Sequence, residues 1–141
     1  MQFKISKYIL GLFDFIILYN AFDIGIKMIN QIGGYQDFPL EWLGKTPFVD
    51  YVMPGYVGIT IYGLGNLIAL AFAIFSRDKK SYMTSLIMGL ILCSSMVFQR
   101  ILLGETYMAT GILMLVGLIQ ISLSMITMKL YQYKLRSSYE K

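Results

Sequence analysis

The sequence predicts an all-α fold, an antiparallel four-helix bundle that spans a membrane. The chain of 141 residues is 57% hydrophobic and only 14% charged, whereas soluble domains carry about 25% charged residues. Its mean hydropathy is +0.63. Four apolar runs are each long enough for a membrane-spanning helix, which needs about 20 residues. Because these runs take up most of the chain, we expect a single domain covering 1–141.

The predicted helices lie at about 8–29, 50–75, 82–103 and 106–130. The opening MQFKISKYILGLF has basic residues ahead of an apolar run, as a signal peptide has. Asp14 interrupts that run and no A-x-A-like cleavage site follows, so we expect a retained first helix.

Basic residues gather at one side of this predicted bundle. Of the 12 lysines and arginines, nine lie at the two termini and in the 76–81 turn: Lys4, Lys7, Arg77, Lys79, Lys80, Lys129, Lys134, Arg136 and Lys141. Such a bias predicts that both termini and this turn are cytoplasmic. It also explains the net charge of +4 without a nucleic-acid partner. Abundant Lys, Tyr, Met and Ile with no histidine suggest a bacterium, and hence the bacterial cytoplasmic membrane.

The longest predicted connection, 30–49, joins the first two helices on the extracytoplasmic side. It and its flank are rich in aromatic residues, which are typical of the headgroup boundary: Phe38, Trp42, Phe48 and Tyr51. Either this loop is an interfacial anchor, or it covers a binding site.

Polar residues inside the predicted helices fall into two layers. At 1.5 Å per residue from the cytoplasmic ends, Asn66 and Gln120 lie roughly 15 Å deep and Asp14 roughly 9 Å deep. Asp23 and Arg100 lie above roughly 20 Å. The inner layer would be Asn66 with Gln120, which Asp14 could join. The outer layer would be Asp23, Asn20, Gln99 and Arg100.

Each layer has two readings. The outer one is either a ligand pocket with an Asp23 to Arg100 pair as its floor, beneath Trp42 and the rest of the loop, or a set of local contacts in which Asp23 pairs with Lys27. The inner one is either a set of interhelical hydrogen bonds or a site of proton-coupled transport. Asp14 either extends toward Lys7 or carries a proton, since an uncompensated charge in the membrane is costly.

Two stretches carry a resemblance to a known family. The segment LYNAFDIGIKMI, closed by Gly25-x-Lys27, precedes a proline-bearing loop and the glycine-rich PGYVGITIYGLGNLIALAFAI. This half of the chain resembles the DoxX-like group of small four-helix bacterial membrane proteins, whose members commonly have a glutamate near the position of Asn66. The resemblance implies a four-helix bundle and, for some members, association with quinone-linked or thiol redox systems.

Three hypotheses for function follow. The first is a non-enzymatic accessory component that binds a lipid or other amphipathic molecule, or packs against another membrane protein or a second copy through the small-residue row Gly65, Ala69 and Ala73. The second is transport of a small solute or protons with Asp14 as the coupling group. The third is a quinone-linked redox subunit. With one cysteine and no histidine, we expect no metal site, and no Ser/His/Asp arrangement points to hydrolytic chemistry.

Overall fold

The computed structural model describes residues 2–37, 39–104 and 108–139. Four long helices account for most of them: α1 (Gln2–Asn30), α2 (Val52–Phe75), α3 (Lys80–Leu103) and α4 (Met108–Tyr139). Each is long and apolar enough to cross a membrane. The chain is therefore a multi-pass membrane protein built from helices.

The first and last helices are longer than the sequence pattern indicates. α1 begins at Gln2 rather than near residue 8, and α4 continues to Tyr139 rather than ending near 130. Packing explains the extension, because the ring of Tyr131 lies 5.2 Å from that of Phe3 and 5.8 Å from that of Tyr82. The predicted start of the last helix, at 106, lies outside the described residues.

The helices pack in a ring in which α1 contacts α2 and α4, and α3 contacts the same two helices. Neighbours are antiparallel. A Cβ on Gly11 would lie 3.2 Å from the Cβ of Ala73, near the far end of α2, whereas Gly25 meets Gly55 near its start. Ser6, near the start of α1, is 2.7 Å from Thr127, late in α4.

The backbones of α1 and α2 approach each other closely at Gly25 and Gly55. A Cβ on Gly55 would lie 2.9 Å from the carbonyl oxygen of Gly25, and a Cβ on Gly25 would lie 3.0 Å from that of Gly55. Both contacts are with backbone, which cannot rotate away. Glycine is therefore required here so that the two helices can touch.

The small-residue row of α2 packs inside the bundle. Ala69 and Ala73 have no exposed area, and a Cβ on Gly65 would lie 2.5 Å from the sulfur of Met88 on α3. The row was predicted to let another helix approach closely, and in this structure the helices that do so belong to this chain.

A π-helical segment, Gly58–Leu64, interrupts the α-helical hydrogen bonding of α2. It is glycine-rich and lies against α1, where a Cβ on Gly63 would be 2.8 Å from the ring of Phe22. The segment ends two residues before Asn66. Short π segments within α-helices are frequent at functional sites.

The bundle has two chemically different ends. We call the end that carries the 31–51 segment the loop end, and the end that carries the 76–79 turn and the start of α1 the basic end. The 31–51 segment forms short helical turns at Tyr35–Asp37 and Leu40–Leu43. Lys45 Nζ donates to the carbonyl of Leu103 at 3.1 Å, and Tyr51 Oη donates to that of Pro39 at 2.9 Å. These bonds hold the segment over the helix ends.

The Gly25 to Gly55 contact yields a matched pair of variants. Gly55→Ala places a methyl group against the backbone of α1, whereas Gly58→Ala meets no atom within 4 Å. We expect Gly55→Ala to lower the free energy of unfolding by about 1–3 kcal/mol relative to Gly58→Ala, because overpacking forces the helices apart. Unfolding of the purified proteins in mixed micelles measures this difference. Equal stability of the two variants would contradict the close contact.

Candidate functional site

Each helix contributes one side chain to a buried polar cluster, which consists of Asp14, Asn66, Ser85 and Gln120. Their exposed fractions are 0% for Asp14, Ser85 and Gln120 and 1% for Asn66. We call this set the polar cluster. It lies in the interior of the bundle, whereas large apolar side chains such as Leu12 and Phe98, each 62% exposed, face outward.

Gln120 connects the members of the polar cluster. Its Nε2 donates to Asp14 Oδ1 at 2.8 Å and to Asn66 Oδ1 at 2.7 Å. Ser85 Oγ donates to Asp14 Oδ2 at 2.5 Å. Asn66 Nδ2 donates to the carbonyl of Tyr62 at 2.8 Å, in the π segment. The cluster therefore joins all four helices by hydrogen bonds that lipid cannot supply.

The side-chain oxygens of Asp14 and Gln120 differ in whether they have hydrogen-bond partners. Each carboxyl oxygen of Asp14 accepts a hydrogen bond, and the ion pair found among the described residues lies elsewhere. Gln120 Oε1 is buried and has no hydrogen-bond partner among the described residues. Buried polar atoms without partners are rare in native proteins, which marks this amide as the polar cluster's least satisfied member.

The structure brings together Asp14, Asn66 and Gln120, the inner layer named from the sequence. It adds Ser85, which sequence analysis did not assign to a site, although it recurs with Met88 and Leu92 at helical spacing and therefore shares their buried face. Asp14 does not extend toward Lys7.

The outer layer named from the sequence does not form. Asp23 Oδ2 pairs with Lys27 Nζ at 2.6 Å, one turn along α1. Asn20 is exposed and its amide donates to the carbonyl of Ile16, in its own helix. Arg100 is exposed. Of the two interpretations of the outer layer, the structure therefore has the local one and not the Asp23 to Arg100 floor, because a lysine at i+4 reaches Asp23 without crossing to another helix.

A cavity of about 370 Å³ nevertheless lies at the loop end, and it includes two of the predicted ligand-binding residues, Trp42 and Gln99. We call it the loop-end cavity. Asp23, Asn20 and Arg100 are not among its walls. The side chains that line it come from the 31–51 segment and from all four helices: Met28, Trp42, Leu43, Thr46, Phe48, Tyr51, Pro54, Gln99, Leu103, Ala109, Thr110 and Leu113.

The walls of the loop-end cavity are apolar with a few polar groups. Leu43, 8% exposed, anchors the 31–51 segment, and Lys45 fixes that segment to the end of α3. Five lining residues carry uncharged polar groups: Trp42, Thr46, Tyr51, Gln99 and Thr110. Small-molecule sites have this composition and begin at about 300 Å³.

Comparison with known proteins adds no assignment. No protein-family model, curated protein or solved structure matches this chain. The resemblance to the DoxX-like group therefore stays a prediction.

Gln120→Leu tests the polar cluster. The change removes the donor of both Asp14 Oδ1 and Asn66 Oδ1, and we expect a loss of about 1–3 kcal/mol in the free energy of unfolding, the cost of unsatisfied buried polar groups. Gln132→Leu is the matched control, because Gln132 is exposed on the same helix. Equal unfolding curves in micelles for the two variants would show that Gln120 does not connect the helices.

Proposed function

We propose that this protein is a non-enzymatic accessory component of the bacterial cytoplasmic membrane that binds an amphipathic, lipid-like molecule at its loop end. The observation that carries the proposal is the loop-end cavity, which is apolar, of ligand size and covered by a segment tied to the helix ends. The residues around it offer shape and weak hydrogen bonding. Among those of them that the structure describes there is no His, Cys, Asp or Glu, the residue types that most often carry acid–base or nucleophilic chemistry.

The proposed orientation has the basic end in the cytoplasm and the loop end outside. Its support is the distribution of charge, because Lys4, Lys7, Arg77, Lys79 and Lys80 all lie at the basic end, as the positive-inside rule requires. A ligand in the loop-end cavity then comes from the outer leaflet or from the extracytoplasmic space.

Cysteines introduced one at a time and labelled in intact cells test this orientation. Glu41 and Lys79 are exposed at opposite ends of the bundle, and the wild-type protein controls for Cys93, which lies within α3. A membrane-impermeant maleimide should label Glu41→Cys in intact cells and Lys79→Cys only after permeabilisation. Labelling in the reverse order would overturn the proposed orientation.

The composition of the walls indicates which part of the ligand lies where. Leu103 and Leu113 lie where α3 ends and α4 begins, and together with Trp42 they form an apolar surface for a hydrocarbon or ring body. Gln99 both donates and accepts hydrogen bonds, so it suits a carbonyl or hydroxyl head. A glyceride or fatty acyl compound fits this description.

The alternatives rank below this proposal for structural reasons. A quinone also has a flat head and an apolar chain, so the redox role implied by the DoxX-like resemblance would use the same cavity. Transport through Asp14 finds less support, because Asp14 has no exposed area and does not line the loop-end cavity. Association with a second protein would have to use the apolar outer faces of the helices.

Filling the loop-end cavity is the decisive experiment. Ala109→Trp adds an indole to its wall, and Ile112→Trp adds the same group to an exposed position that does not line it. Lipids extracted with each purified protein are identified by mass spectrometry. We expect one compound class that is retained by the wild type and by Ile112→Trp and is at least about tenfold depleted in Ala109→Trp, a loss equivalent to about 1.4 kcal/mol.

The identity of the retained compound separates the hypotheses. A glyceride or fatty acyl compound supports the proposal, whereas a quinone, recognised by its ultraviolet spectrum and its bleaching on reduction, transfers the support to the redox role. Equal lipid content in Ala109→Trp and Ile112→Trp would overturn binding in this cavity.

A further inference from the structure

A second cavity, of about 580 Å³, lies at the opposite end of the bundle and has a different character. Its lining combines four basic side chains with aromatic and aliphatic ones: Phe3, Lys4, Lys7, Tyr8, Ile74, Phe75, Arg77 and Lys134. We call it the basic-end cavity. It is formed where the start of α1 meets the end of α2 and the last turns of α4.

Lys7 is built into this cavity rather than lying on its surface. The residue is only 5% exposed, and its ammonium group donates to the carbonyls of Ile74 at 3.1 Å and of Ser76 at 2.8 Å. An ammonium group has three donors, and the third has no acceptor among the described residues. Lys7 therefore closes the end of α2 and still has a hydrogen bond to give.

The four cations of the basic-end cavity have no carboxylate beside them among the residues that the structure describes in its lining. The nearest acid along the chain, Asp78, accepts a hydrogen bond from the backbone N–H of Lys80 at 3.1 Å, and the ion pair found in the described part of the chain is at the other end of α1. A group of four cations in one cavity attracts an anion.

Aromatic rings hold two of these cations in position. Lys134 Nζ lies 5.3 Å from the ring centre of Phe3, and Lys7 Nζ lies 5.3 Å from that of Tyr8. Beside them, Ile74 and Phe75 are 43% and 81% exposed. The cavity therefore places an apolar wall next to a group of cations, an arrangement that matches a headgroup joined to acyl chains.

We propose that the basic-end cavity binds the phosphate group of an anionic phospholipid. Lys7, Arg77 and Lys134 contact the phosphate oxygens, with the guanidinium of Arg77 able to bind two of them at once. The acyl chains run along Ile74 and Phe75 into the bilayer. This site is independent of the function proposed for the loop-end cavity and uses none of its residues.

The test compares two double variants with the same loss of charge. Arg77→Gln/Lys134→Gln removes two cations of the cavity and leaves Lys7 to close α2, whereas Lys79→Gln/Lys129→Gln removes two exposed cations that do not line it. Delipidated full-length protein in detergent is titrated with phosphatidylglycerol or with phosphatidylcholine of the same acyl chains. Native mass spectrometry measures the bound lipid.

We expect tighter binding of phosphatidylglycerol than of phosphatidylcholine. The cavity variant should weaken phosphatidylglycerol binding by about 25-fold, because each cation near a lipid headgroup contributes about fivefold, and the control variant should leave it within about twofold. Equal affinity for the two lipids, or equal loss in the two variants, would overturn the proposal.

Inorganic phosphate distinguishes the two sources of the group. If phosphate at millimolar concentration displaces phosphatidylglycerol and sodium chloride of equal ionic strength does not, the site is supported and a soluble phosphate compound becomes its ligand. If phosphate displaces no more phosphatidylglycerol than sodium chloride does, the ligand is the phospholipid, and its acyl chains contribute to binding.

Discussion

The inability of hydrocarbon to form hydrogen bonds governs this structure. A polar side chain that faced lipid in the middle of a helix would lose its hydrogen bonds with water and gain none from the lipid. Asp14, Asn66, Ser85 and Gln120 avoid that cost by facing one another. Since each belongs to a different helix, the polar cluster also sets the rotation of all four helices about their axes. Apolar packing alone would not do so, because lipid solvates an apolar helix face as well as another helix does.

Close helix contact and polar contact depend on each other. Gln120 reaches both α1 and α2 only because the helices are near, and glycines allow that approach at Gly25 and Gly55. On the opposite side of the bundle a Cβ on Gly89 would lie 3.2 Å from the carbonyl oxygen of Gly117, so α3 and α4 also lie close together there. The π segment lies within the same contact region and supplies the carbonyl of Tyr62 that satisfies Asn66. The π-helical part of α2 therefore supplies the acceptor for the buried amide group of Asn66.

The fold could be predicted from the sequence, whereas the sites could be predicted only in part. Length and hydropathy indicate four spanning helices directly. Because each helical residue adds a constant rise, counting residues from the cytoplasmic helix ends places Asp14, Asn66 and Gln120 at similar depths in the membrane. It does not decide between the two interpretations of Asp23, since helix rise says nothing about how the helices are rotated, and the structure pairs Asp23 with Lys27 on its own helix. The shape of the loop-end cavity depends on how the 31–51 segment folds back, which its composition does not specify. The π segment leaves no signal beyond an excess of glycine.

The arrangement of cavities and polar cluster argues for binding at the two ends rather than passage between them. The loop-end cavity is bounded by Gln99 and Leu113, and the basic-end cavity by Lys7 and Ile74. Between these levels lies the polar cluster, whose side chains are buried and bonded to one another. A transported solute would have to break those bonds, and Asp14 would then lose the two donors that it has in this structure. The exception is Gln120 Oε1, which has no partner in the described part of the chain. A lone amide oxygen can accept a hydrogen bond from a donor that reaches it, but one such atom does not make a path for solute.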